Sequence, residues 1–351
     1  VATRYPILDT ILWPYFHARP SLRNYSGVAR HPLSHRFEVY REDEVTKLVF
    51  FGDLCCMYGE ELVSTSEGVR EVFSGADRVF GNLEAPITQR ARHTRPIVGF
   101  RFRMSESFLD DLLGEFGIEP QRCLLSLANN HIGDWSLAGY DSTLTALESR
   151  GIRVLGRCRD DRPQAEEVVV DGWLKLGVVA WTRWLNRRPF APGDRVLEDV
   201  DLPAVDWAER KREAGWHLLL GLPHWDYEFK HFPRAETRDL ARGLAAGGFD
   251  LLVGHHPHVL QPLEWFGDTI CHYSLGNFLA IQLTWPTKLT TLLEVHVLRT
   301  GGRRGRVCGY RQIPLALQTG QNKRRRLVTL DEVPLELRKQ CHRRLEQLFE
   351  V

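Results

Sequence analysis

The sequence predicts a layered α/β domain, and three observations predict it. Apolar strand-like runs alternate with helix-period segments through most of the chain. Clusters of polar, chemistry-bearing residues follow predicted strands and never precede them, which is the edge where ligand sites form in open α/β sheets. A chain of 351 residues, 43% hydrophobic and 26% charged, can bury a sizeable core.

The elements follow in order. Residues 1–45 are rich in Pro, Arg, His and aromatics, show no sustained period, and read as an extension or cap on the body. A strand over 47–52 delivers Asp53, and a second over 77–80 runs into Gly81-Asn82-Leu83-Glu84. A helix starting near Ser105 sets Phe108, Leu109, Leu112, Leu113 and Phe116 on one face and stops at Gly117. A third strand, 123–127, delivers Ala128-Asn129-Asn130-His131, and a helix from about Ser136 ends before Gly151. A β-rich stretch covers 168–170 and 174–181, and a Pro- and charge-rich excursion over 183–215 leads into a short helix. Strand 216–220 delivers Pro223-His224-Trp225. The helix Ala235–Ala246, closed by Gly247-Gly248, leads into Leu251–Val253 and the turn Gly254-His255-His256-Pro257-His258. Strands over 270–273, 290–297 and 307–315 come next, the first emptying into Ser274-Leu275-Gly276-Asn277-Phe278, and Leu335–Leu348 reads as an amphipathic helix. The expected division is an extension at 1–45, a main domain at 46–320, and a basic segment with a packed helix at 321–351.

Composition narrows the function classes. A formal net charge of +1 provides no field for nucleic acid or anionic membrane, so no nucleic-acid partner is expected. The clusters Arg303-Arg304 with Arg306 and Lys323-Arg324-Arg325-Arg326 read as solvated loops. Seven cysteines without a C-x-x-C pair read as reduced, mostly buried thiols of an intracellular protein, with the adjacent pair Cys55-Cys56 set apart. No run of 18 apolar residues exists, so no membrane span is expected. The apolar stretch near the start lacks the basic opening and cleavage site of a signal peptide, and the expected location is the cytoplasm.

Five strand-end clusters on one sheet edge would bring together Asp53, Glu84, Asn130, His131, His224 and the turn carrying His255, His256 and His258. Each has a plainer reading alone: Asp53 as a turn former, His224 as one member of an aromatic cluster with Trp225 and Tyr227. Together they make a donor set of carboxylates and imidazoles, which suits Mn²⁺, Fe²⁺ or Zn²⁺. Six or more donors exceed one four-coordinate ion and suit two ions about 3.5 Å apart sharing a carboxylate. Cys55, two residues past Asp53, points the same way along an extended backbone and otherwise reads as a buried small hydrophobe.

These motifs carry a resemblance. Phe51-Gly52-Asp53, Gly81-Asn82-Leu83-Glu84-Ala85-Pro86-Ile87-Thr88, Leu127-Ala128-Asn129-Asn130-His131, His224-Trp225, residues 253–262 and residues 274–278 resemble the CapA family of poly-γ-glutamate capsule proteins, in order, over about 46–300. The pattern is further similar to calcineurin-like metallophosphoesterases, which implies a four-layer α-β-β-α sandwich with a dinuclear site. On that resemblance Asp53 would ligate one metal, Glu84 would bridge, and Asn130 would ligate the second. His131 would be the general acid or a transition-state donor, and His224 with two of His255, His256 and His258 would complete the shells. His256 and His258 fit the H-x-H spacing, whereas Gly254-His255 fits the Gly-His start, so the pair stays open. Two departures stand out: Cys55 occupies the His position of Asp-x-His, and Asp226 replaces the usual Gly after His-Trp, adding a carboxylate beside the site. A capsule-assembly role would further imply a membrane anchor, and none is expected from these residues.

The expected function is a soluble metal-dependent hydrolase whose metal-bound hydroxide attacks an amide, such as a γ-glutamyl or related peptide bond, with His131 and Asp226 as catalytic groups. The substrate class is a small molecule or peptide. A phosphoesterase using the same site, with Arg101, Arg103 or Arg183 on phosphate, is the second expectation. A non-enzymatic binding or assembly protein for an anionic polymer is the third.

Overall fold

The computed structural model describes residues 5–55, 62–89, 101–188, 190–280, 284–319 and 324–351. Two sheets face each other. In the larger, the strands Val63–Thr65, Arg325–Thr329, Val307–Thr319, Leu289–Leu298, Val45–Leu54, Arg78–Leu83, Cys123–Ser126 and Arg153–Leu155 lie side by side in that order. Ser34–Arg36 joins it beside Val307–Thr319, and Asn277–Leu279 beside Val45–Leu54. The smaller runs Leu263–Phe266, Thr269–His272, Leu251–Val253, Leu218–His224, Leu174–Thr182 and Glu166–Val170.

Side-chain alternation along the strands sets the layers. Leu218, Leu220 and Leu222 pack into the core shared with the larger sheet, as do Val178, Leu251 and Val253. Leu219, Val179, Trp181 and Leu252 point the other way, against Trp207 of the helix Trp207–Ala214 and Ala241 and Leu244 of the helix Ala235–Ala246. On the far side of the larger sheet, Phe51 meets Phe73 of the helix Glu67–Ser74, and Phe116 of the helix Glu106–Phe116 lies 4.9 Å from Phe278. Burying each such ring contributes roughly 1.5–3 kcal/mol. The result is the four-layer α-β-β-α sandwich. It also explains why the central strands read as near-continuous apolar runs: both of their faces are buried.

Local signals fix the element ends. Ser105 caps its helix by accepting from the Phe108 N–H at 3.1 Å, and Gly117 closes it in the left-handed conformation at φ 67°. The strand expected at 216–220 runs further, as Leu218–His224, and so carries His224 within the sheet.

Several features differ from expectation. Residues 1–45 contain a helix, Ile7–Ala18, with no fully buried side chain and Pro14 inside it, which explains the missing period. The basic cluster at 323–326 is not simply a solvated loop, because Arg325–Thr329 pairs with Val307–Thr319 and buries Leu327 and Val328. Two short elements also differ from expectation, the three-residue strand Val63–Thr65 and the two-turn helix Glu67–Ser74, which sets Val69, Val72 and Phe73 against the core. Among the described residues, Cys55, Cys123, Cys158, Cys271, Cys308 and Cys341 are reduced and buried. Cys56 lies outside the described residues.

Candidate metal centre

Both sheets contain parallel strands, and the carboxyl ends of these strands meet at one edge of the sandwich. Asp53 closes Val45–Leu54, Asn82 lies near the end of Arg78–Leu83 with Glu84 just after it, and Asn129-Asn130-His131 follow Cys123–Ser126. The second sheet contributes His224 at the end of its strand and the turn after Leu251–Val253. Gly52 lets the strands close up here, because a Cβ on it would sit 1.9 Å from the Gly276 carbonyl. That same carbonyl accepts the Asp53 N–H at 2.9 Å.

The turn owes its shape to two uncommon backbone conformations. His256 and His258 both have positive φ, 96° and 55°. For non-glycine residues this costs on the order of 1–3 kcal/mol each and is found where function or packing over-determines the backbone. Pro257 between them has its φ fixed by its ring. Together they fold both imidazoles back toward the strand ends, while His255 takes a different path. Its N–H pairs with the Pro223 carbonyl at 2.9 Å, and its ring Nε2 lies 3.3 Å from the Phe51 carbonyl.

Two donor triples result, and they share Glu84. One is Glu84, His224 and His256; the other is Cys55, Glu84 and His258. Within each, the ligating atoms lie within 4.8 Å of one another. Glu84 Oε1 stands 3.6 Å from His224 Nε2 and 3.7 Å from His258 Nε2. Beside these groups, Asp53 Oδ2 lies 3.4 Å from His258 Nδ1 and Asn130 Oδ1 lies 3.0 Å from His224 Nε2. A third group, Glu228 with His256 and His258, lies on the outer side.

The donor chemistry fits divalent cations. Glu84 Oε1 and His256 Nδ1 are buried and have no hydrogen-bond partner. Such orphaned groups are costly in a packed interior unless an ion satisfies them. The titration behaviour agrees. Burial pushes the Glu84 carboxyl up to about 8, with the nearby Asp53 charge adding to the rise. Burial works against a charged His258 too, but Glu84 and the hydrogen bond and charge of Asp53 hold it up at about 10. Burial would raise Asp53 as well, yet contact with His258 and the Asn82 amide holds it below the usual carboxylate range. His224 and His256 are pushed well below the ordinary imidazole value by burial and by neighbouring imidazoles, which leaves them neutral and able to donate a lone pair.

Supporting groups orient the donors. Asn82 Nδ2 donates to Asp53 Oδ1 at 2.7 Å and approaches His224 Nδ1 at 3.2 Å. Asn277 Oδ1 lies 2.9 Å from His258 Nδ1, and its Nδ2 donates to the carbonyls of His258 and Thr287 at 3.1 Å. This is the outer-shell arrangement that fixes the orientation of ligating imidazoles. His131 makes a different pairing: its Nδ1 meets Asp134 Oδ2 at 2.7 Å, and the Phe102 ring packs on it at 4.1 Å. Burial opposes a charged His131, but the charge and hydrogen bond of Asp134 raise it above the ordinary value.

The remaining residues singled out in the sequence make other contacts. Asp226 is buried in a left-handed conformation, φ 64°, that turns its carboxylate to Arg234. Arg234 Nε donates to Oδ1 at 2.9 Å and its backbone N–H to Oδ2 at 3.1 Å. The carboxylate beside the histidines is instead Glu228, two residues on. Arg183 faces Asp199 at 3.8 Å, Arg101 lies over the Trp135 ring, and Arg103 is buried. Sequence reading did not single out Glu228, Asn277 or Tyr5, whose hydroxyl pairs with His256 Nε2 at 2.9 Å. A usable signal existed only for Asn277: Gly276-Asn277 repeats the Gly81-Asn82 pair at another strand end.

Comparison with known proteins adds context. A family model described as bacterial capsule synthesis protein PGA_cap matches residues 47–282. PGA biosynthesis protein CapA of Bacillus subtilis (strain 168) is 26% identical over 275 residues, 74% of this chain and 70% of that protein. Capsule biosynthesis protein CapA of Bacillus anthracis is 25% identical over 300 residues, 81% of this chain and 70% of that protein. Among solved structures, a hypothetical protein from Thermus thermophilus matches with a TM-score of 0.43 and 15% identity over 77% of this chain and 98% of its own. NAD nucleotidase (NadN) of Haemophilus influenzae matches with a TM-score of 0.46 and 12% identity, covering 86% of this chain but 56% of its own.

Proposed function

The chain belongs to the bacterial capsule synthesis protein PGA_cap family, and from that premise we propose that it is a metal-dependent hydrolase of an amide, a γ-glutamyl or related peptide bond. Asp53, Glu84, Asn130, His224, His256 and His258 would hold two divalent ions, of Mn²⁺, Fe²⁺ or Zn²⁺ type. The observation that carries this reading is the pair of donor triples sharing Glu84, whose Oε1 is buried without a partner.

When bound, such a pair of ions supplies Lewis acidity, acidifying water and offsetting charge that builds on the attacked carbonyl. The chain's own residues do the rest. His131, whose protonated form Asp134 favours against the effect of burial, gives a proton to the leaving amine. The Phe102 ring packs against it. His255 serves the sheet backbone and not the metals, and Asp226 anchors Arg234.

The test has three parts. Purified protein should carry Mn, Fe or Zn near two equivalents; well under one, with no stabilisation by added metal, would end the enzymatic reading in favour of a polymer-binding role. A panel of γ-glutamyl peptides should be hydrolysed faster than aryl phosphates, and the opposite order would make the protein a phosphoesterase. His258→Ala should lose metal and activity together, while His131→Ala should keep metal and lose rate by about 10²–10⁴-fold.

A further inference from the structure

Cys55 sits two residues past Asp53, on the same side of the strand end, and is 1% exposed. A cysteine that serves only as a small hydrophobe faces apolar neighbours. This one does not: its thiol donates to Glu84 Oε2 at 3.2 Å, and its sulfur, a Glu84 oxygen and a His258 nitrogen form one compact group. A second observation points to the same space from the other side. Glu84 Oε1, fully buried and without a hydrogen-bond partner, faces His258 Nε2 at 3.7 Å.

We infer that Cys55 is a thiolate ligand of the metal centre, completing with Asp53, Glu84 and His258 the half of the site that lacks a second imidazole. The inference rests on the metal-binding reading above and gives that half a soft donor. As the Sγ–metal bond forms, the thiol proton leaves to solvent, and no electrons change hands. A sulfur donor biases the half-site toward Zn²⁺ or Fe²⁺ over Mn²⁺ or Mg²⁺.

The experiment loads the metal-free full chain with Co²⁺ and records its absorption. The expected result is a strong sulfur-to-cobalt charge-transfer band in the near ultraviolet. Cys55→Ser should abolish it and weaken cobalt binding at least about tenfold, the loss typical even of a group that only supports a ligand. Cys56→Ser should keep the band. Zinc-edge X-ray absorption of the wild-type protein should show a sulfur shell at about 2.3 Å, a reading that does not depend on any variant folding. Cobalt uptake with no sulfur band, or a band that survives Cys55→Ser, would overturn the thiolate and leave the carboxylate–imidazole centre standing. No cobalt uptake at all would overturn both.

Discussion

Gly254→Ala isolates how closely the histidine turn is packed. A Cβ on Gly254 would lie 2.0 Å from the Tyr273 carbonyl oxygen, 2.7 Å from its carbon and 2.4 Å from Trp225 Nε1. None of these atoms is the free end of a flexible side chain. Trp225 Nε1 donates to that same Tyr273 oxygen at 3.0 Å, and the Gly254 N–H donates to the His272 carbonyl at 2.7 Å. Reaching ordinary contact requires a shift of more than an ångström across the junction between two strands, so either these hydrogen bonds stretch or the turn moves. Overpacking of this kind costs about 2–3 kcal/mol. With a urea dependence near the top of the usual range, the unfolding midpoint should fall by roughly 1 M. Displacement of His256 and His258 should also weaken metal binding by at least about tenfold. Urea unfolding followed by tryptophan fluorescence, with competitive chelator titration beside it, reads both effects. Gly243→Ala supplies the opposite sign: that helical glycine has nothing within 4 Å of a new Cβ and should gain up to about 1 kcal/mol. If Gly254→Ala unfolds at the wild-type midpoint and binds metal normally, the close-packed turn described here is wrong.

Two further outcomes follow from the same geometry. Asn277→Ala, which removes the nearer of two acceptors facing His258 Nδ1 and leaves Asp53 Oδ2, should weaken metal binding by about 10–100-fold, with Asn277→Asp recovering part of the loss; chelator competition reads this, and unchanged affinity in Asn277→Ala would remove it from the supporting shell. Metal uptake should also strengthen with pH. Glu84 at about 8 and His258 at about 10 hold protons at neutral pH that a cation must displace. Affinity should therefore rise by up to about tenfold per pH unit for each displaced proton, most steeply below pH 8. Calorimetry in buffers of differing ionisation enthalpy counts the protons, and a pH-independent affinity would contradict this charge assignment.

Much of the fold could be read from local pattern. The helix Glu106–Phe116 announces itself through a five-residue apolar face between Ser105 and Gly117, and both ends act at short range. The helix Ile7–Ala18 does not, because its contacts are made by isolated residues reaching distant partners: Asp9 to Lys230 at 2.7 Å and Trp13 to Glu228. No helical period encodes such contacts.

For the candidate site, sequence by itself determined which strand ends carry donors: Asp53, Glu84, Asn130, His131, His224 and the histidine turn all follow apolar runs that fold as adjacent parallel strands. It could not set His255 apart from His256 and His258, because that difference lies in the sign of two φ angles and in a carbonyl of Phe51 more than two hundred residues away. Nor could it separate Asp226 from Glu228, since a left-handed turn aims the first at Arg234 and leaves the second beside the histidines. Only the tertiary structure brought the Cys55 thiol against Glu84. Local chemistry decides which residues reach a strand end, whereas backbone handedness and contacts between the two sheets decide where each side chain then points.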